Sequence, residues 1–134
     1  MTKTIAFRIF AFLLILAVLV AVCMIEDRLV VSTLKKVGEI CREIEIMAEQ
    51  KDGIVNGEVA SLVDNLEYVW KTKEGDLCYL ANHKSMEQLG MEIVRLKTYI
   101  DEEEPIEFFV SLKMILHYVE TFQHFMGANV HNIL

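Results

Sequence analysis

Proline occurs once in these 134 residues, as Pro105, and glycine only six times. No Gly-rich, Ser-rich or low-complexity tract and no fixed-period repeat interrupts the chain, which leaves little room for a flexible linker. Residues 26–134 are enough for one domain with a modest core and not for two. Basic side chains are scarce as well. Of the 13 Lys and Arg, Lys3 and Arg8 fall in the N-terminal segment, which leaves 11 facing 20 Asp and Glu. Phosphate binding needs clustered Lys and Arg, so nucleic acid is excluded as an expected partner. The same charge discourages contact with anionic lipid and suits a domain held off the membrane surface.

Cysteine is sparse too, and only Cys41 and Cys78 lie outside the apolar N-terminal run. In an extracytoplasmic domain the two could form one disulfide. The reading adopted is that each is a buried thiol, because Cys41 stands on an apolar stripe. Catalytic signatures are missing altogether: there is no Ser-His-Asp set, no phosphate-cradling Gly loop, no Cys-x-x-Cys and no His-Glu-x-x-His. A non-enzymatic protein without cofactor or bound metal is therefore expected.

What the chain has in abundance is apolar surface at its start. From Ile9 to Ile25 there are seventeen residues without charge, Gly or Pro, and Ile5 to Phe7 extend the run across Arg8. At about 1.5 Å per residue the segment reaches across a bilayer core of roughly 30 Å if Arg8 snorkels to the interface. Ala6, Ala17 and Ala21 supply no small-residue pair in a signal-peptidase arrangement, and Val22 before Cys23 does not suit a lipoprotein signal. The expectation is an uncleaved signal-anchor in the cell membrane, with residues 1–25 as tail and anchor and 26–134 as the helical domain. Basic residues flank the run on both sides, Lys3 and Arg8 before it and Arg28, Lys35, Lys36 and Arg42 after it. The short basic tail resembles a secretory signal in layout, which puts the domain outside.

Beyond the run, Val30, Leu34, Val37, Cys41, Ile44 and Ala48 recur at steps of four and three, the spacing of one helix face. No Gly or Pro comes before Gly38, so the anchor should continue as one helix to about residue 51. A second helix is expected over about 57–80, with Val59, Leu62, Val63, Leu66, Val69 and Trp70 on one side; Gly75 either ends it or is absorbed. The third is expected over about 86–103, with Ser85 as N-cap, Gln88 at capping-box spacing, and Met86, Leu89, Ile93, Leu96 and Ile100 inward. Pro105 should open the fourth, about 105–126, whose stripe is Phe108, Leu112, Ile115, Val119, Phe122 and Met126. The fold class is all-α: a single transmembrane helix continuing into an antiparallel helical bundle or helical hairpins.

"ANHKSMEQLGMEIVRLKTYI", preceded by Trp70-Lys71 and followed at the end by "NIL", resembles the bacterial family called domain of unknown function 4363. The resemblance covers essentially the whole chain and rests on Trp70, His83, Arg95, Leu96, Lys97, Tyr99, Ile100 and Asn132 to Leu134. It implies one N-terminal membrane segment, a short helical region and a Gram-positive spore-former as the usual source. It implies no activity. Asn82 stands where the family usually has Asp before the histidine, which argues against an Asp–His pair at that turn.

Three groups of side chains invite a functional reading. Glu92, Arg95 and Tyr99, with Met91, fall on the side of the third helix away from its apolar face, and Arg and Tyr are common interface anchors. The alternatives there are a surface ion pair, or a helix covered on both sides by its neighbours. His83 could be a pH-sensitive or ligand-binding residue, or it could fix the turn before the third helix. His117, Glu120 and His124 share a polar stripe with Lys113; His117 and His124 are two turns apart, about 10 Å, too far to share one ion, and a solvated surface opposite the apolar face is the better reading. Trp70 reads as core first and interface anchor second. The leading expectation is a membrane-anchored extracytoplasmic interaction module that binds a membrane or envelope protein. A ligand- or metal-sensing ectodomain using His83 or His117 with Glu120 is the alternative. An envelope hydrolase is a third, for which no nucleophile can be named.

Overall fold

The computed structural model describes residues 2–50 and 53–131, and side chains over 5–50, 53–79 and 81–124. Lys51, Asp52 and the closing Asn132 to Leu134 lie outside the described residues, as does the side chain of Met126. Four helices follow one another: α1 (Thr2–Gln50), α2 (Gly57–Leu80), α3 (His83–Asp101) and α4 (Pro105–His131). There is no strand among the described residues. Each helix packs on its two neighbours in a closed ring, α1 on α2, α2 on α3, α3 on α4 and α4 back on α1. The short turns make each neighbour antiparallel, which is an up-down-up-down bundle.

α1 runs 49 residues without a break. Its two halves obey different rules. Over residues 5–25 it is apolar all round and exposed, a candidate membrane span. From Val30 onward Val30, Leu34, Val37, Cys41, Ile44 and Ala48 turn inward and are buried. Gly38 does not interrupt the helix, because it serves packing: a Cβ there would lie 3.0 Å from Val119 Cγ1 on α4.

The inward faces of the other helices follow their spacing. Val59, Val63, Leu66, Val69 and Trp70 are buried on α2, Met86, Leu89, Ile93, Leu96 and Ile100 on α3, and Phe108, Leu112, Ile115 and Val119 on α4. Leu62 and Phe122 are partly buried against them.

Helix ends depart from expectation in three places. α3 begins at His83 because Asn82 is its N-cap, its side-chain oxygen accepting from Ser85 N at 3.4 Å. Ser85 is thus inside the first turn and does not cap it; asparagine one turn earlier supplies the acceptor first. α3 stops at Asp101, where Glu102 caps it and Glu103 takes a left-handed φ of 57° to turn the chain toward Pro105. α4 runs on to His131, past the expected end near 126. Asn56 caps α2 by accepting from Glu58 N, and α2 passes through Gly75 without a break.

The glycines of α2 and α3 offer a direct test of this packing. A Cβ at Gly75 meets nothing within 4 Å, whereas one at Gly90 would lie 2.8 Å from Trp70 Nε1. Gly75→Ala should stabilise the protein by about 0.5–1 kcal/mol through reduced backbone entropy in the unfolded chain. Gly90→Ala should destabilise it by about 1–3 kcal/mol through overpacking. Thermal or urea unfolding of the two variants measures both; shifts of the same sign would refute the close α2–α3 approach.

Candidate functional site

α3 is the helix on which the sequence concentrates its unusual outward residues, and its two flanks meet different neighbours. On the α4 flank, the Glu92 carboxylate is only 12% exposed. Ser111 Oγ of α4 lies 2.9 Å from both Glu92 Oε2 and the Glu92 carbonyl oxygen. Glu92 also accepts from Arg95 Nη1 at 2.6 Å. Tyr99 is partly buried against the core. Glu92 therefore belongs to the α3–α4 seam, where the hydroxyl of Ser111 stabilises a carboxylate drawn partly out of water, and Tyr99, seven residues on, falls on the same side of the helix. They do not share one outward patch with Arg95. The acid that pairs with Arg95 is on its own helix.

On the α2 flank the backbones come close at Gly90. The Trp70 ring lies over this glycine, buried at 3% exposure, with Glu74 Oε1 within 3.2 Å of where a Cβ would stand. The indole N–H has no hydrogen-bond partner among the described residues. Beside this contact runs a groove of about 370 Å³, lined by Trp70, Gly90, Met91, Val94 and Arg95 with Glu67, Lys71, Glu74 and Glu87 at its edges. Met91 is 49% exposed and Val94 55%. Residues 91, 94 and 95 are neighbours on a helix surface, so two apolar side chains and a guanidinium stand together at the groove.

Charges along the groove are unequal. Lys71 pairs with Glu67 at 2.7 Å, and Lys97 bridges from α3 to Asp64 of α2 at 2.7 Å while also reaching Asp101 at 3.2 Å. The bond to Asp64 is the main reason the Lys97 ammonium is held above its ordinary value. At the other end Glu74 and Glu87 stand near Cys78, whose thiol is pushed up by burial first and then by these two carboxylates.

The remaining candidates lie apart. His83 is the exposed first residue of α3, and the turn-fixing role falls to Asn82. His117 and His124 are exposed on α4. Two members of their stripe join the α1 seam: Glu120 pairs with Arg42 at 3.5 Å, and Lys113 with Glu45. No group of three or more His, Cys, Asp or Glu able to hold a metal occurs among the described residues. Cys41 and Cys78 are free thiols; Cys41 is buried as expected, whereas Cys78 is only partly buried, because it stands in the last turn of α2 beside the core residue Leu77. Cys41 is eleven residues along α1 from Val30, whereas Cys78 is next to Leu77 at the end of α2 nearest Val30. That is an axial offset of about 16 Å, well beyond disulfide reach.

Gly90 and Val94 went unremarked in the sequence reading. The signal was present: a glycine inside an amphipathic helix costs about 1 kcal/mol against Ala and marks a close approach. The Glu92–Ser111 bond had no such signal, because a serine on an apolar stripe does not announce its acceptor.

These features define a class, a four-helix antiparallel bundle whose first helix emerges from a candidate membrane span and whose outer surface carries a groove between α2 and α3. A family model of the domain of unknown function DUF4363 matches residues 32–133, and the chain belongs to that family. No curated protein and no solved structure matches it significantly.

Burial of Cys41, with Glu45 adding to it, pushes its thiol up to about 12 from an ordinary 9.0. The unfolded chain loses this proton first, so the stability carried by neutral Cys41 is complete below pH 9 and is lost as pH rises toward 12. Melting temperatures of the wild type should fall more steeply over that window than those of Cys41→Ala. Parallel declines would contradict a buried thiol in the core.

Proposed function

We propose that this chain is a membrane-anchored, non-enzymatic interaction module that needs no cofactor. In this reading residues 5–25 cross the cell membrane once and the bundle stands outside. There it binds a helix of another membrane or envelope protein in the α2–α3 groove. The observation that carries the proposal is the groove itself: Met91 and Val94, half-exposed beside the tight Trp70–Gly90 contact, with charges around them. An apolar centre with a charged rim is the composition of a protein interface. Glu74 and Glu87 favour an occupant carrying Lys or Arg, and the acidic balance of the domain disfavours nucleic acid. Of the residues singled out on α3, Met91 and Arg95 make the contact, while Glu92 orients Arg95 and Tyr99 supports the helix from the α4 side.

The membrane part rests on the apolar length and full exposure of residues 5–25. The extracytoplasmic side rests on the basic residues before the run.

Two measurements on the full chain test these parts separately. Protease added to intact protoplasts should digest the bundle; complete protection would reverse the orientation. A photocrosslinking residue at Met91 should capture a protein that one at Lys36, exposed on α1, does not. Val94→Glu and Arg95→Gln should each weaken that capture at least tenfold while leaving the melting temperature within about 2 °C, since both side chains are exposed and glutamine sets no second carboxylate beside Glu92. Capture that survives both charge changes would sink the groove as the interface.

A further inference from the structure

We propose that the end of the bundle nearest the apolar run rests on the lipid headgroups, with Tyr79 seated among them. The inference rests on the reading of residues 5–25 as a membrane anchor and adds a lipid-facing surface to the folded domain. Topology selects the end. α1 leaves the apolar run, α2 returns toward it, α3 leaves and α4 returns, so the α2–α3 turn and the last turns of α4 both lie at the anchor.

Height follows from helix geometry. The apolar run ends at Ile25, and the first core residue of α1 is Val30, only 2% exposed. Five residues rise about 7.5 Å. The headgroup layer on each face of a bilayer is about 5–8 Å thick, the difference between a 30 Å core and a 40–45 Å total shared by two faces. The lowest core layer, where Val30, Leu77 and Met86 meet the ends of their helices, thus begins at the outer edge of the headgroups. Whatever projects below it is inside them.

Tyr79 is two residues beyond Leu77, and it is 93% exposed, a large aromatic with no packing role in the bundle. A tyrosine at this depth buries its ring against lipid and keeps its hydroxyl wet, which is why Tyr is enriched at membrane–water interfaces. α4 supports the same height independently. Gly38 and Val119 are in register across α1 and α4. His131, where α4 ends, is twelve residues past Val119, and twelve residues back from Gly38 is Glu26, next to Ile25.

Nothing allows the domain to lift away. α1 has neither Gly nor Pro from Ile5 to Val37 and is helical throughout, so there is no hinge between anchor and bundle. Charge does not supply the attraction either. At this end Arg28 and Lys84 are offset by Glu26, Asp27 and Asp76, so the contact is made by the amphipathic tyrosine and not by a polybasic patch.

The test uses the full chain in phosphatidylcholine vesicles, with a fluorescent amino acid incorporated at Tyr79, at Val55 on the far end of the bundle, or at Phe12 in the apolar run. Lipids spin-labelled on the headgroup should quench the probe at 79 at least threefold more than the probe at 55. Lipids labelled on the acyl chain should quench the probe at 12. Quenching at 12 with equal, weak quenching at 79 and 55 would overturn the headgroup contact and leave the anchor standing. Absence of quenching at 12 would overturn the anchor and this inference with it.

Discussion

The continuity of α1 is the constraint on which the rest of the molecule depends. One helix joins a candidate membrane span to the bundle, and its surface changes character within about one turn between Ile25 and Val30. Before that turn every direction is apolar, as a lipid-exposed helix requires; after it only one stripe is, at steps of four, three, four, three and four. Because the backbone does not break, the stripe fixes where the other three helices can sit around the axis. The bundle has a set rotation and a set height relative to the apolar run.

Two glycines let the ring close around that axis. Gly38 admits Val119 of α4 at a distance that a methyl group would crowd, and Gly90 admits the Trp70 ring of α2 at one that a methyl group would violate. Both sacrifice helix propensity for interhelical contact, and dispersion between closely packed atoms offsets the loss. Polar seams then bind the outer edges: Arg42 and Lys113 join α1 to α4, Lys97 joins α3 to α2, and Ser111 holds the half-buried carboxylate of Glu92. The exposed pairs fix the relative rotation of neighbours more than they add stability.

Much of this was legible in the sequence. The inward stripes of all four helices, the continuation of the apolar run into the bundle as one helix and the place of Pro105 follow from periodicity and from the chemistry of helix starts. The start of α3 was not, because Asn82 and Ser85 are both competent caps three residues apart and only backbone geometry decides between them. The site was legible in composition and not in arrangement. Glu92, Arg95 and Tyr99 share a polar arc on a helical wheel, but a wheel does not say how much of that arc a neighbouring helix covers. α4 covers Glu92 through Ser111, Tyr99 is partly buried, and Arg95 is left outward with Met91. Val94 escaped notice because a lone exposed valine is ordinary; it acquires meaning only beside Gly90 and Trp70.

The fixed height of the bundle bears on what the groove can hold. The axes of α2 and α3 are aligned with that of α1, so under the proposed anchoring their groove stands along the membrane normal. Its ends are not equivalent. Glu74 and Glu87 lie toward the α2–α3 turn, near Cys78, and Glu67, Val94 and Arg95 lie farther out, with Trp70 and Gly90 between. A helix rising from the same bilayer would pass the acidic end first and the apolar centre second. The basic residues that commonly flank a membrane span would then meet Glu74 and Glu87, and an apolar face about one to two turns farther would meet Met91 and Val94. A partner arriving from solution gains no such alignment and must supply its own orientation, at the full entropic cost of association. Anchoring both helices in one membrane removes much of that cost by raising their effective concentration, so a groove this small can suffice for a specific complex between two membrane proteins where it would be weak between two soluble ones.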